Sequence, residues 1–231
     1  MDNKLDIPTP LFNEKVMLSK LEALELYGIN FEKIWHHHQL PGISSCFQCL
    51  RQFSIEHCNY LKVLFSSSTV AIFPYLEEIK ISGMDDLETI WPNQLCKDSF
   101  RKLKSMEVTS LPKLKHIWNK DPQKRFSFKK LSSVKVCNCK SLKYLFPFSI
   151  AESLSELEQL HVYNCGVEEI VADEGEAKEA VTFVFPRITS LMLNYLPRLK
   201  TFYRGVHTLQ WRNLKKLSMH HCDKAEFFAS T

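Results

Sequence analysis

The sequence FRKLKSMEVTSLPKLKHIW, from Phe100 to Trp118, decides the fold. Through Met106 and Val108 its apolar residues alternate with polar ones, as in a strand with one buried face. Over residues 111–117 the apolar residues recur at every third position, which is typical of a tight, turn-rich segment. Neither a helix nor a strand explains the whole pattern. The stretch is therefore predicted to be one short strand followed by a turn-rich return.

The same compound pattern occurs eight times along the chain. The first leucine-type position of each copy falls at residues 21, 50, 76, 103, 131, 157, 188 and 214, so the steps are 29, 26, 27, 28, 26, 31 and 26 residues. Steps in the twenties with an L-x-x-L-x-L-x-x-C/N-like core are the signature of leucine-rich repeats. We expect an α/β leucine-rich repeat solenoid, a curved horseshoe with a parallel β-sheet on its concave face. Turns, 3-10 segments and short helices are expected on the convex face.

The repeats also set the predicted domain boundaries. No copy can bury its apolar side alone, so successive copies must stack into one continuous core. We expect an irregular segment over residues 1–10, a repeat domain of about eight copies over 11–228, and a tail over 229–231. The best helix candidate is 149–156, where Ser153 and Glu156 have the spacing of a capping box.

The cysteines are interpreted as packing residues. Four of the eight share one repeat position: Cys58, Cys139, Cys165 and Cys222. The same position holds Met84, Leu111 and Leu196 in other copies, so it accepts any apolar side chain of suitable size. Cysteine in such a position is a small buried hydrophobe. Unpaired cysteines fit a reducing, cytosolic setting.

Charge is distributed unevenly, although the net charge is only +4. Residues 97–143 hold 14 Lys and Arg against 3 Asp and Glu, and residues 151–180 hold 9 Asp and Glu against one lysine. Such runs are typical of a solvated outer face. A nucleic-acid-binding array is the alternative, since Lys124 and Arg125 precede Phe126. It is disfavoured because a phosphate-tracking groove needs its charge on one face.

Metal and catalytic sites were also considered. Cys46 and Cys49 have the spacing of half a zinc site, and His36–His38 lie nearby, but four suitably spaced ligands are required. The sequence contains no G-x-S-x-G, H-E-x-x-H or P-loop motif. We predict no enzyme, no catalytic residues and no metal or cofactor site. No run approaches 18 apolar residues and the first ten residues do not form a secretory signal, so no membrane span is predicted.

The predicted binding surface consists of the variable residues between the strand leucines. These residues should point away from the core onto the concave face, which solenoids present to protein partners. The candidates are Glu25, Tyr27, Ser54, Glu56, Lys80, Ser82, Glu107, Thr109, Lys135, Cys137, His161, Tyr163, Met192, Asn194, Ser218 and His220.

Several motifs resemble those of a known family. The unit starts Phe73-Pro74-Tyr75-Leu76 and Phe185-Pro186-Arg187-Ile188 recur, as do the unit endings Ile34-Trp35, Ile90-Trp91 and Ile117-Trp118. Together they resemble the C-terminal leucine-rich repeats of plant intracellular immune receptors, in particular the coiled-coil, nucleotide-binding class of disease resistance proteins. The resemblance covers residues 11–228.

The resemblance implies a cytoplasmic recognition module in plant defence. Its partners would be a pathogen effector, a guarded host protein or other domains of the same receptor. ADP or ATP is implied only for the family's nucleotide-binding domain, which these residues do not contain because they lack a P-loop. A fragment of a longer receptor or a truncated relative is expected. The alternatives are a substrate-recruiting repeat array of a ubiquitin ligase and a stand-alone repeat adaptor.

Overall fold

A computed structural model of the chain describes residues 11–12, 16, 18–34, 47–65, 73–91, 100–118, 128–173 and 181–226. Its main element is an eight-stranded parallel sheet with one strand from each copy of the repeat. In spatial order the strands are β1 (Ala23–Tyr27), β2 (Gln52–Glu56), β3 (Glu78–Ser82), β4 (Ser105–Thr109), β5 (Ser133–Cys137), β7 (Gln159–Tyr163), β10 (Ser190–Asn194) and β12 (Lys216–His220). The chain is therefore a parallel β-solenoid, as the leucine-rich repeats predict.

All eight strands are five residues long, and neighbouring strands are in strict register. The second and fourth residues of each strand face the core, since successive side chains of a strand point to opposite faces. Both are buried in the six inner strands; in β5 they are Val134 and Val136. The first, third and fifth residues face the opposite way, and we call that surface the open face. The alternation predicted from Met106 and Val108 is confirmed in β4.

The residue that follows each sheet strand has a positive φ angle. These residues are Gly28, His57, Gly83, Ser110, Asn138, Asn164, Tyr195 and His221. The N–H groups of the first seven donate to the carbonyl of the last residue in the next strand, at 2.7–3.0 Å. Glycine adopts this left-handed conformation without steric cost, whereas the six other residues must be held in it. These hydrogen bonds link the ends of neighbouring strands at the same level across the sheet.

On the far side of the core, aromatic residues from successive copies stack. Trp91 lies between Phe65 and Trp118, with ring centroids 5.3 and 5.8 Å away and nearly parallel planes. Trp118 continues the stack to Phe146 at 6.2 Å. Phe128 packs edge-on against Trp118 at 4.5 Å. Unit endings such as Ile90-Trp91 therefore form an aromatic column that joins adjacent copies.

The returns pair with one another through short parallel segments. β6 (Tyr144–Pro147) pairs with β8 (Glu169–Ala172), and β9 (Val181–Val184) pairs with β11 (His207–Gln210). Three single bridges extend this pattern, among them Val63 to Thr89. The returns in the described ranges thus include short extended segments with no 3-10 helix among them.

Helix is almost absent from the described residues, so the predicted α/β class is not confirmed. The single helix there is α1 (Phe148–Ala151), all four residues of which are buried. The capping box predicted at Ser153 is wrong, because Ser153 lies after the helix. Its hydroxyl donates to the carbonyl of Ile150 at 2.8 Å. No helix in the described ranges has the length and apolar character needed to cross a membrane.

Packing is less complete in the last copy than in the inner ones. Leu217 in β12 is 46% exposed, whereas Leu191, its register partner in β10, is 1% exposed. Met219, Cys222 and Leu214 are only partly buried. The core therefore thins out at β12.

Candidate functional site

The open face of the sheet carries all sixteen residues that the sequence analysis selected as binding candidates. Parallel pairing aligns them in two straight rows. The middle row is Glu25, Ser54, Lys80, Glu107, Lys135, His161, Met192 and Ser218. The last row is Tyr27, Glu56, Ser82, Thr109, Cys137, Tyr163, Asn194 and His220. The structure thus brings residues far apart in sequence onto one continuous surface.

A third row on the same face was missed by the sequence analysis. It is formed by the first residue of each strand: Ala23, Gln52, Glu78, Ser105, Ser133, Gln159, Ser190 and Lys216. These residues could have been predicted from the sequence. Each one directly precedes the first core-facing residue of its strand, so the alternation of core-facing and outward-facing residues places it on the open face. We call the three rows the first, middle and last rows.

Charged residues of the open face pair with each other from β2 to β5. The Nζ of Lys80 lies 2.5 Å from Oε1 of Glu56, and the Nζ of Lys135 lies 2.7 Å from Oε1 of Glu107. The hydrogen bond from Lys80 lowers the pKa of Glu56, and Glu56 in turn raises the pKa of Lys80. Glu107 raises the pKa of Lys135 in the same way. These pairs hold their side chains across neighbouring strands.

A similar ladder lies just before the strands. Glu77 accepts from Arg51 at 2.8 Å and from Lys104 at 2.6 Å, which links three successive copies. The hydrogen bond from Lys104 lowers the pKa of Glu77. All three side chains are solvent-accessible, so these ion pairs contribute little to the stability of the fold. Their main effect is to hold the three side chains in fixed positions on the surface.

From β7 to β12 the open face is polar and aromatic. The Nε2 of His161 lies 3.0 Å from Oγ of Ser190. Burial, followed by the positive charges of Lys216 and Lys135, lowers the pKa of His161. On the last row, the Oδ1 of Asn194 accepts from the hydroxyl of Ser218 at 3.2 Å and from the backbone N–H of His220 at 3.1 Å.

Tyrosines extend this part of the face beyond the strand ends. The rings of Tyr163 and Tyr195 meet edge-on with centroids 5.2 Å apart. Tyr195 also stacks on His221 at 4.5 Å. Tyr195 and His221 are two of the positive-φ residues that follow the strands, and their rings continue the contact that begins at Tyr163.

The cysteines of the repeat position behave as packing residues. Cys58, Cys139 and Cys165 are buried, and Cys222 is partly buried in the last copy. The thiols of Cys58, Cys139 and Cys165 donate to the carbonyl two residues earlier, at 3.2–3.4 Å. Burial raises the pKa of Cys58 and Cys222. Cys137 differs, because it lies on the open face, where partial burial raises the pKa of its thiol.

Two of the sites weighed from the sequence lie largely outside the described residues. Cys46 and His36–His38 of the considered zinc site are among the residues not described, and Cys49 is exposed. Lys124, Arg125 and Phe126 of the basic stretch also lie outside. Within the described ranges no group of three or more His, Cys, Asp or Glu residues could hold a metal ion.

One comparison with known proteins produced a match. A family model described as plant disease resistance protein RPS2-like, leucine-rich repeats, matches residues 20–166. The matched range contains six of the eight sheet strands, from β1 to β7. A search of curated proteins and a search of solved structures each found no match.

Proposed function

Because the chain belongs to the family of plant disease resistance protein RPS2-like leucine-rich repeats, we propose that it is a protein-recognition module of a plant intracellular immune receptor. The module acts in defence by binding a pathogen effector or a guarded host protein, or by contacting other domains of the same receptor. It works in the cytoplasm as a binding surface and catalyses no reaction. ADP or ATP belongs to a nucleotide-binding domain outside these residues.

The proposal keeps the finer features predicted from the sequence. The repeat domain spans residues 11–228, between the irregular segment 1–10 and the tail 229–231. The sheet lies on the concave side of a horseshoe, so that its open face can surround part of a partner. Repeat solenoids generally use such extended concave surfaces for binding.

The observation that supports the proposal best is the contrast between repetition and variation within each strand. The core-facing residues repeat the same apolar chemistry from copy to copy. The three rows of the open face instead change from glutamate to lysine, histidine, methionine and tyrosine. A surface whose only task is solubility needs no such variety, whereas recognition of one partner depends on unlike groups at fixed positions.

The test exchanges the two charges of an open-face pair. The variant combines Glu107→Lys with Lys135→Glu, which retains the ion pair while it reverses the local charge pattern. Its matched control combines Asp86→Lys with Lys113→Asp, a pair 2.5 Å apart that lies outside the sheet strands. Partners are first obtained by a two-hybrid screen of the full chain against plant and pathogen proteins.

We expect both exchanged variants to melt like the parent, since exposed pairs contribute little to stability. Partner affinity should fall at least about ten-fold with the open-face exchange, because mismatched charges at an interface are costly. It should change little with the control. If partners tolerate the open-face exchange and are lost with the control, the open face is not the recognition surface.

A further inference from the structure

The open face divides into two regions of different chemistry. The N-terminal region comprises the three rows on β1 to β5. It holds four glutamates and two lysines: Glu25, Glu56, Glu78, Glu107, Lys80 and Lys135. The C-terminal region comprises the three rows on β7, β10 and β12. Its rows contain two histidines and one lysine but no carboxylate.

The two regions also differ in whether their lysines form ion pairs. Both lysines of the N-terminal region are paired with glutamates of the same face. Lys216 of the C-terminal region is exposed and has no ion pair in the described part of the chain. Its charge acts on His161, which is held by Ser190 and also faces Lys135 from β5. The rows of the C-terminal region therefore supply no carboxylate to neutralise the charge of Lys216.

An aromatic platform lies at the other end of the same strands, because Lys216 is in the first row and Tyr163 is in the last row, two residues beyond His161. Tyr163 and Tyr195 are 45% and 44% exposed, yet their rings contact each other, and Tyr195 also stacks on His221. Tyrosines restrained in this way lose little entropy when a partner covers them. Binding hot spots are enriched in tyrosine, and the centres of interfaces are depleted of charge.

We propose that the C-terminal region is the docking centre for a protein segment that carries a carboxylate and, a few residues away, an aromatic or aliphatic side chain. The carboxylate is recognised by Lys216 and by the His161 imidazole. The apolar side chain packs on Tyr163 and Tyr195. The inference rests on the proposed function, since it locates partner binding within the same open face.

The charge of the region selects this partner over the other occupants of such a surface. The rows of the C-terminal region provide no carboxylate to pair with Lys216. A carboxylate of the partner would provide that pairing, which makes the charges of the two surfaces complementary. A nucleic-acid strand needs a groove with several cations that follow its phosphates. The rows of the C-terminal region offer a single lysine.

The test selects peptides of about ten random residues from a display library against the purified full chain. We expect enrichment of sequences in which Asp or Glu stands two to about four residues from Phe, Trp or Leu, since the first and last rows are separated by four residues of a strand, or roughly 13 Å. Selected peptides should bind Lys216→Gln and Tyr163→Ala at least about ten-fold more weakly, as truncation of a hot spot does. The matched controls are Lys80→Gln and Tyr27→Ala in the N-terminal region, and binding should change less than about two-fold for both.

Each of the other outcomes contradicts the inference in a recognisable way. Selection of basic peptides, or sensitivity to the Lys80 and Tyr27 variants alone, rejects the C-terminal region and leaves the proposed function standing. Peptides that resist every open-face substitution reject both. A library that yields no peptide above background rejects docking of a short acidic segment. Displacement by single-stranded nucleic acid, or a dimer that Tyr163→Ala dissolves, reassigns the region to that occupant.

Discussion

The two faces of the eight-stranded sheet are built from the same strands but follow different rules. On the core face, neighbouring positions carry interchangeable apolar residues, such as Val108 in β4 and Val136 in β5. On the open face, register partners such as Lys135 and His161 are chemically unlike. The core face determines that the chain folds, and we propose that the open face determines what the folded chain binds.

The comparison can be tested within a single strand by placing the same residue on either face. Val136→Asp buries a carboxylate with no partner and should destabilise the fold by more than about 4 kcal/mol. Lys135→Asp places the same residue on the open face next to Glu107, where like charges cost no more than about 1 kcal/mol. Thermal melts followed by circular dichroism measure both effects. Equal losses for the two variants would contradict the assignment of faces.

Aromatic residues provide a second, somewhat smaller contrast. Trp118→Ala empties a position between Trp91 and Phe146 and should cost about 3–5 kcal/mol. Tyr163→Ala removes an exposed ring and should cost less than about 1 kcal/mol. Urea unfolding of both variants measures the difference. A cost for Tyr163→Ala that matches the loss at Trp118 would mean that the tyrosine platform is structural.

The smallest effect concerns the Glu56–Lys80 pair. A double-mutant cycle with Glu56→Gln and Lys80→Met should give a coupling of about 0.2–1 kcal/mol near neutral pH. Lys80 lowers the pKa of Glu56 in the folded state, so the folded chain binds this proton less readily than the unfolded chain. The pair therefore adds stability above the ordinary range of a glutamate pKa and loses it as the pH falls. A coupling that persists undiminished near pH 3 would show that another interaction links the two side chains.

The difference between the faces also explains how much could be predicted from the sequence. The eight strands were predictable because each copy repeats the same buried pattern, as at Met106 and Val108. The sixteen open-face candidates could be predicted for the same reason. Fourteen lie on the seven strands from β1 to β10 of the eight-stranded sheet, and Ser218 and His220 lie on β12, where the same pattern recurs. Their alternation with buried residues alone fixed the side of the sheet.

The remaining features depend on packing between copies and had no local signal. His57, Ser110 and Tyr195 have a positive φ angle that their residue types do not favour, because a hydrogen bond to the next strand holds them there. Of the expected helix over 149–156, only 149–151 are helical, within α1. Leu154 and Leu157 beyond it are buried in the core without being helical, so tertiary packing overrides helix propensity there. The pairing of β6 with β8 joins returns that are distant in sequence.

The difference in charge and aromatic content between the two regions of the open face could be recognised only from the strand register. Lys216, His161 and Tyr195 are separated by many residues, and the sequence does not show that they share one surface. The strand register places Lys216 and His161 on one face, and the ring contact with Tyr163 places Tyr195 at the edge of that face. The distribution of charge on the open face therefore depends on which residues of different copies lie side by side. Neighbouring residues in the sequence do not show this arrangement.

Site-specific photo-cross-linking tests most directly whether the open face is the recognition surface. A benzophenone amino acid replaces Gln159, an exposed residue of the C-terminal region that the docking proposal leaves free, or, in separate variants, Tyr60 and Tyr75, exposed tyrosines outside the sheet strands. Each full chain is then irradiated with a partner from the two-hybrid screen. The proposed function and its C-terminal docking centre predict a cross-link from position 159 and none from positions 60 and 75. Cross-links from 60 or 75 without one from 159 would contradict them.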